Sequence, residues 1–182
     1  MRIPGHRKLV SATTLVALVG CSSADHATGP SLAQGEGGQV TRPLKGRCNT
    51  DVTIVSIGAD GRLDLNIEYT CQLSHLGRTH NTVVQSVIPT GPPAGVLLTG
   101  IVNNTGAYVA ANGDRVNSSF TGTGTTNLAD FTAVFEGTDT FSGGTGRLAD
   151  ASGSAHIQGT AVLDPATGTG KGQFTIEGTI TY

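Results

Sequence analysis

One short stretch of this 182-residue chain gathers three side chains that could act together: His75, Arg78 and His80 in "CQLSHLGRTHN". Two imidazoles flanking a guanidinium could ligate a metal or hold an anion. The same run also suits a turn whose polar side chains satisfy loop backbone groups. His75, Arg78 and His80 are therefore the candidate ligand-binding residues, and no metal is assigned to them. Other ionisable residues fall out by strand phase: Glu68 opposes Ile67 and Tyr69, Glu136 opposes Phe135, His156 opposes Ile157 and Glu177 opposes Ile176, so all four are expected to face outward. From these phases no titratable pair is expected inside the fold. The chain has no G-x-S-x-G elbow and no H-E-x-x-H pair. Neither "GGTG" nor "GTGKG" continues into the Lys-Ser or Lys-Thr that a phosphate loop requires. No catalytic residue and no cofactor is expected.

The elements around these residues read as strands. Charged residues make up 13% of the chain, below the roughly 25% of an average soluble domain, and Gly reaches 27 residues with no Trp. Gly and Thr recur between short apolar runs, which suits many short strands with glycine corners. Leu63, Leu65, Ile67 and Tyr69 share one face of "LDLNIEY", as do Phe174, Ile176, Ile180 and Tyr182 near the end. Further strands are expected near 79–88, 97–110, 115–125, 130–141 and 153–163, with Asn112-Gly113 as a type I′ turn. With the first hairpin and the last strand these make eight. Eight antiparallel strands with one apolar face protect their edges by closing into a barrel.

The first hairpin can be tested against its own cysteines. Folding "CNTDVTIVSIGADGRLDLNIEYTC" symmetrically about Ala59 and Asp60 sets Val52 opposite Ile67, Ile54 opposite Leu65 and Cys48 opposite Cys71. Directly opposed residues are close enough for a disulfide, and Cys48–Cys71 is the expected bridge. CxxC-type spacing and flanking His ligands, which zinc or redox chemistry would call for, are missing beside the pair.

The beginning of the chain has a different character. "MRIPGHRKLVSATTLVALVGC" joins a basic start (Arg2, Arg7, Lys8) to an apolar segment too short to span a bilayer, the pattern of an export signal over residues 1–20. Leu18-Val19-Gly20-Cys21 resembles the lipobox of bacterial lipoproteins, which implies cleavage before Cys21 and lipidation of that residue. Without Arg2, Arg7 and Lys8 the formal charge moves from −2 to −5, and a mildly acidic surface argues against nucleic acid as a partner. Residues 21–43 then read as lipidated terminus and flexible linker, 44–182 as the barrel, and the lipid as the one membrane attachment. Two Asn-x-Ser/Thr triplets, Asn103-Asn104-Thr105 around Asn104 and the one opening at Asn117, have little meaning behind a bacterial export signal.

"FSGGTGRLADASGS" resembles the GGTG-x-(Phe/Tyr)-x-x-Ala-x-Gly segment of the allene oxide cyclase and dirigent barrel superfamily, where it links two barrel strands. "SHLGRT", "AANGDR" and "GTGKGQFTIEGTI" also look like pieces of secreted bacterial barrels of that type. The resemblance covers roughly residues 45–182 and implies a calycin-like, eight-stranded closed barrel. Leu148 stands where the family segment has an aromatic, a substitution that keeps a packing role. Gly143, Gly144 and Gly146 then supply positive φ or close backbone approach, Leu148 plugs a barrel end, and Ala151 and Gly153 let the chain re-enter the sheet. Arg147 and Asp150 are expected as a salt-bridged or solvated corner. The superfamily's catalytic residues cannot be carried over, because no matching acidic or basic positions occur outside the corner.

The function expected on this basis is a cell-envelope lipoprotein, periplasmic or surface-exposed, whose small barrel binds a small apolar ligand or a surface partner without catalysis. A dirigent- or cyclase-like isomerase and a purely structural envelope protein are the alternatives. Homo-oligomers are compatible with either. A hollow interior favours ligand binding and a filled core favours a structural role.

Overall fold

A computed structural model describes residues 38–182, so the export signal, Cys21 and most of the expected linker lie outside the described residues. Eight strands follow in order: β1 (Thr41–Ile57), β2 (Leu63–Leu73), β3 (Gly77–Pro89), β4 (Val96–Ala110), β5 (Arg115–Asn127), β6 (Thr132–Gly144), β7 (Ser152–Asp164) and β8 (Thr169–Thr181). Each pairs antiparallel with the next, and β1 pairs with β8 to close the barrel. β1 starts at Thr41, so residues 41–43 are strand rather than linker.

The first hairpin pairs Cys48 with Cys71, Val52 with Ile67 and Ile54 with Leu65, the expected register, and the disulfide is formed. Its sequence separation of 23 residues corresponds to about 3 kcal/mol of loop-closure stabilisation. The turn itself is not symmetric. A bulge lies between Ile54 and Ser56, after which Ser56 faces Asp64. The Gly61 N–H donates to Gly58 O, the Gly58 N–H to Arg62 O, and Gly61 takes φ +80°. Asn112-Gly113 repeats the arrangement: the Gly113 N–H donates to Ala110 O, the Ala110 N–H to Asp114 O, and Gly113 alone has positive φ. This is a type I turn closed by a glycine bulge and not the expected type I′ turn, in which Asn112 would also need positive φ.

The glycine-rich run between β6 and β7 is a corner, as expected. Gly143 (φ +69°), Gly146 (φ +59°) and Gly153 (φ +132°) occupy backbone regions that favour glycine, and a Cβ on Gly144 would strike the Arg115 carbonyl. A 3-10 turn over Gly146–Leu148 drives Leu148 into the barrel end, where it is fully buried with Leu44, Val116 and Ile180. Arg147 pairs with Asp114 at 3.2 Å and donates to the His75 carbonyl, tying the corner to two neighbouring turns.

One half of the barrel is therefore packed and the other is not. Leu44, Leu73, Leu76, Val116, Phe141, Leu148 and Ile180 fill the end that holds this corner. Toward the opposite end Ile54, Leu63, Phe135 and Leu163 are only partly buried, and Ile57 is exposed.

Candidate functional site

A cavity of about 290 Å³ occupies the less filled half of the barrel. It reaches from Ile57, Leu97, Leu128 and Pro165 at the mouth, past Leu65, Ile67, Ile101, Phe120 and Ile157, to Tyr69, Tyr108, Asn103 and Asp139 at the floor. That is close to the lower limit of roughly 300 Å³ for ligand pockets, or about ten water volumes. Two larger depressions lie on the outside, one of about 880 Å³ over β5–β8 and β1, the other of about 780 Å³ beside His80, Arg115 and Asn117. Both are open, and exposed polar side chains dominate their linings, so the smaller interior cavity is the better candidate.

The polar floor follows from irregularities in β4. The strand has one residue more than either neighbour between Val102 and Val109: its pairing with β3 breaks between Ser86 and His80, and its pairing with β5 shifts between Asn103 and Gly106. Inward phase consequently changes from Ile101 and Asn103 to Tyr108 and Ala110. Two buried amides take the place of the interrupted ladder. Asn81 Oδ1 accepts from the Ala107 N–H at 3.3 Å, and Asn103 Oδ1 accepts from the Phe120 N–H at 2.7 Å. The phase change turns Tyr108 inward against Tyr69, their ring centroids 5.7 Å apart.

Two hydrogen-bonded pairs, set side by side, make up this floor. Asn81 Nδ2 donates to the Tyr69 hydroxyl, and the Tyr69 ring packs against that of Tyr108. Tyr108 donates to Asp139 Oδ2 at 2.7 Å. Asp139 is 1% exposed, and burial lifts its carboxyl to about 6 against the pull of Tyr108 and Ser118, which favour the charged form. Asp139 Oδ1 and Ser118 Oγ nonetheless make no hydrogen bond of acceptable geometry. Burial raises both tyrosines, with the Asp139 charge adding to the effect, so they stay neutral wherever the carboxylate is ionised. A buried acid titrating near 6 beside a cavity is a feature that functional sites show more often than structural cores.

This floor departs from the expectation of no titratable pair inside the barrel. Glu68, Glu136, His156 and Glu177 do face outward. Asp139, however, shares its phase with Phe135 and Phe141 on β6, a parity that the test applied to Glu136 would also have exposed. His75, Arg78 and His80 are all exposed. His75 sits in the β2–β3 turn at φ +64°, and His80 borders the outer depression at β3–β5 rather than the cavity. No group of three metal-ligating side chains occurs among the described residues. No protein-family model matches the chain, and no curated protein and no solved structure matches it.

Proposed function

We propose that this protein is a non-enzymatic binding barrel of the bacterial cell envelope that encloses a small, mostly apolar molecule. The observation that supports the reading is the cavity of about 290 Å³, walled by aliphatic and aromatic side chains with polar groups confined to its floor. A purely structural barrel would gain stability by filling that volume, as the opposite end does. The anchor in this reading is a lipid on Cys21, and the barrel type is that of the allene oxide cyclases and dirigent proteins. The eight-stranded meander and the glycine corner between β6 and β7 are consistent with that type.

Calorimetric titration of the full chain with octan-1-ol tests the reading. Saturable binding is expected in the parent protein, weakened about tenfold or more in Ala161→Phe, whose ring would occupy the cavity from β7. Absence of saturable binding in the parent protein overturns it. One observation favours the isomerase reading as second: Asp139, with its pKa near 6 and its bond to Tyr108, is equipped for proton transfer at the cavity floor.

A further inference from the structure

The floor of the cavity holds one desolvated carboxylate, and its charge is one-sided. Asn81 Nδ2 and the Tyr108 hydroxyl are spent on Tyr69 and on Asp139 Oδ2, whereas Asp139 Oδ1 makes no hydrogen bond of acceptable geometry, even with the Ser118 hydroxyl that acts on it. Asn81 Oδ1 and Asn103 Oδ1 are already bonded to backbone N–H groups. No Lys, Arg or His side chain is buried among the described residues, so nothing inside the barrel balances the Asp139 charge. An anion would be repelled, and a pure hydrocarbon would leave the carboxylate oxygen unmatched. A cation would gain full attraction from a carboxylate that has already lost its hydration on folding. The rings of Tyr69, Tyr108 and Phe174 line the cavity as well, and an ammonium is the polar head group that aromatic walls tolerate best.

The rim agrees with the floor. Asp60, Asp64, Asp130 and Asp164 surround the mouth, and the cationic side chains near it, Arg62 and Lys171, are paired with Asp64 and Asp51. Asp60, Asp130 and Asp164 are held by backbone N–H groups of the turns they open, which keeps their charge at the entrance. Such a rim raises the local concentration of cations.

We propose that the ligand of this barrel is an amphiphilic organic amine of about ten non-hydrogen atoms, its ammonium seated at Asp139 beside Tyr108 and its apolar body lying along Leu65, Ile101 and Ile157. The proposal rests on the binding reading above and adds the head group to it. Its test compares octan-1-amine, octan-1-ol and octanoate, which share a chain and differ at one end, by calorimetry on the full chain at pH 7.5. The amine is protonated there.

The expected order is amine over alcohol by about tenfold or more, with octanoate weakest. Asp139→Asn should remove the preference while octan-1-ol still binds, which also shows that the variant is folded. In the parent protein, lowering the pH from 7.5 to 5 passes through the titration of Asp139 near 6 and should weaken the amine but not the alcohol. Tyr69 from β2, Tyr108 from β4 and Ser118 from β5 are the groups facing Asp139 that the pH change leaves neutral. Equal affinities for amine and alcohol, a preference that survives in Asp139→Asn, or octanoate binding as tightly as the amine each overturn the proposal. Octan-1-ol binding with no amine preference sinks this inference alone, whereas absence of saturable octan-1-ol binding to the parent protein sinks the binding reading itself.

Discussion

The two ends of the barrel are made by the same eight strands yet solve opposite problems. At the closed end the chain spends a glycine corner, a 3-10 turn and the fully buried Leu44, Leu148 and Ile180 on excluding space. At the open end Leu128 and Pro165 from the turns line only the mouth, and the inward side chains thin out around a cavity of about 290 Å³. Charge leans the same way: Arg42, Arg78, Arg115 and Arg147 lie toward the closed end, although Asp114 and Asp150 share it, and four aspartates with Arg62 stand at the mouth. The outer surface near the mouth is also the more apolar, with Val55, Val96, Leu98, Val134 and Val162 exposed. Packing at one end stabilises the fold, and that margin is what lets the other end remain hollow around a desolvated carboxylate.

The contrast predicts unequal responses to the same substitution. Leu148→Ala should cost up to about 4 kcal/mol, because a fully buried side chain is removed from a well-filled end. Leu163→Ala, at a half-buried position lining the cavity, should cost about 1 kcal/mol or less. Urea unfolding of both variants measures this directly. Equal losses would mean that the two ends are packed alike.

The carboxylate at the floor gives the next largest effect. Because its folded pKa of about 6 lies above the unfolded value near 4, the folded state binds the extra proton between those limits. Its contribution to stability is thus present below pH 4 and is lost as pH rises through 6. The loss is at most about 3 kcal/mol for a shift of roughly two units. Asp139→Asn should therefore raise the melting temperature at pH 7.5 and leave it nearly unchanged at pH 4. A variant less stable than the parent at pH 7.5 would show instead that the ionised carboxylate holds the floor together.

The smallest effect is expected on the outside. Lys171 and Asp51 pair at 2.5 Å with side chains 85% and 70% exposed. Lys171→Ala should change stability by less than about 0.5 kcal/mol, with what remains screened by salt. A larger loss, measured by the same urea unfolding, would make the outer charges partners in the fold rather than solvated neighbours.

Much of the barrel could be read along the chain because its strands alternate with period two and its turns are punctuated by glycine. The register of β1 and β2 followed from the apolar pairs and the cysteines, and the corner at Gly143, Gly144 and Gly146 followed from its glycines. The turn at Asn112-Gly113 was located but mistyped, since a hairpin dipeptide does not reveal whether the strand beyond it carries a bulge. The His75, Arg78 and His80 group looked concentrated in sequence, but alternation on β3 turns Arg78 and His80 to the outer surface. The same parity turns Asp139 inward among the Thr and Gly residues of β6.

By itself the sequence determined the all-β class, the eight strands, the Cys48–Cys71 bridge and the glycine corner, because each depends on neighbours within one hairpin or one turn. Only the tertiary structure decided which end is filled, where β4 gains its extra residue, and that Tyr69, Tyr108 and Asp139, drawn from β2, β4 and β6, meet at one depth. Those outcomes depend on closure of the sheet. A bulge reverses inward and outward phase only in relation to its partner strands, and the depth of a residue in a barrel is set by the stagger of all eight strands together.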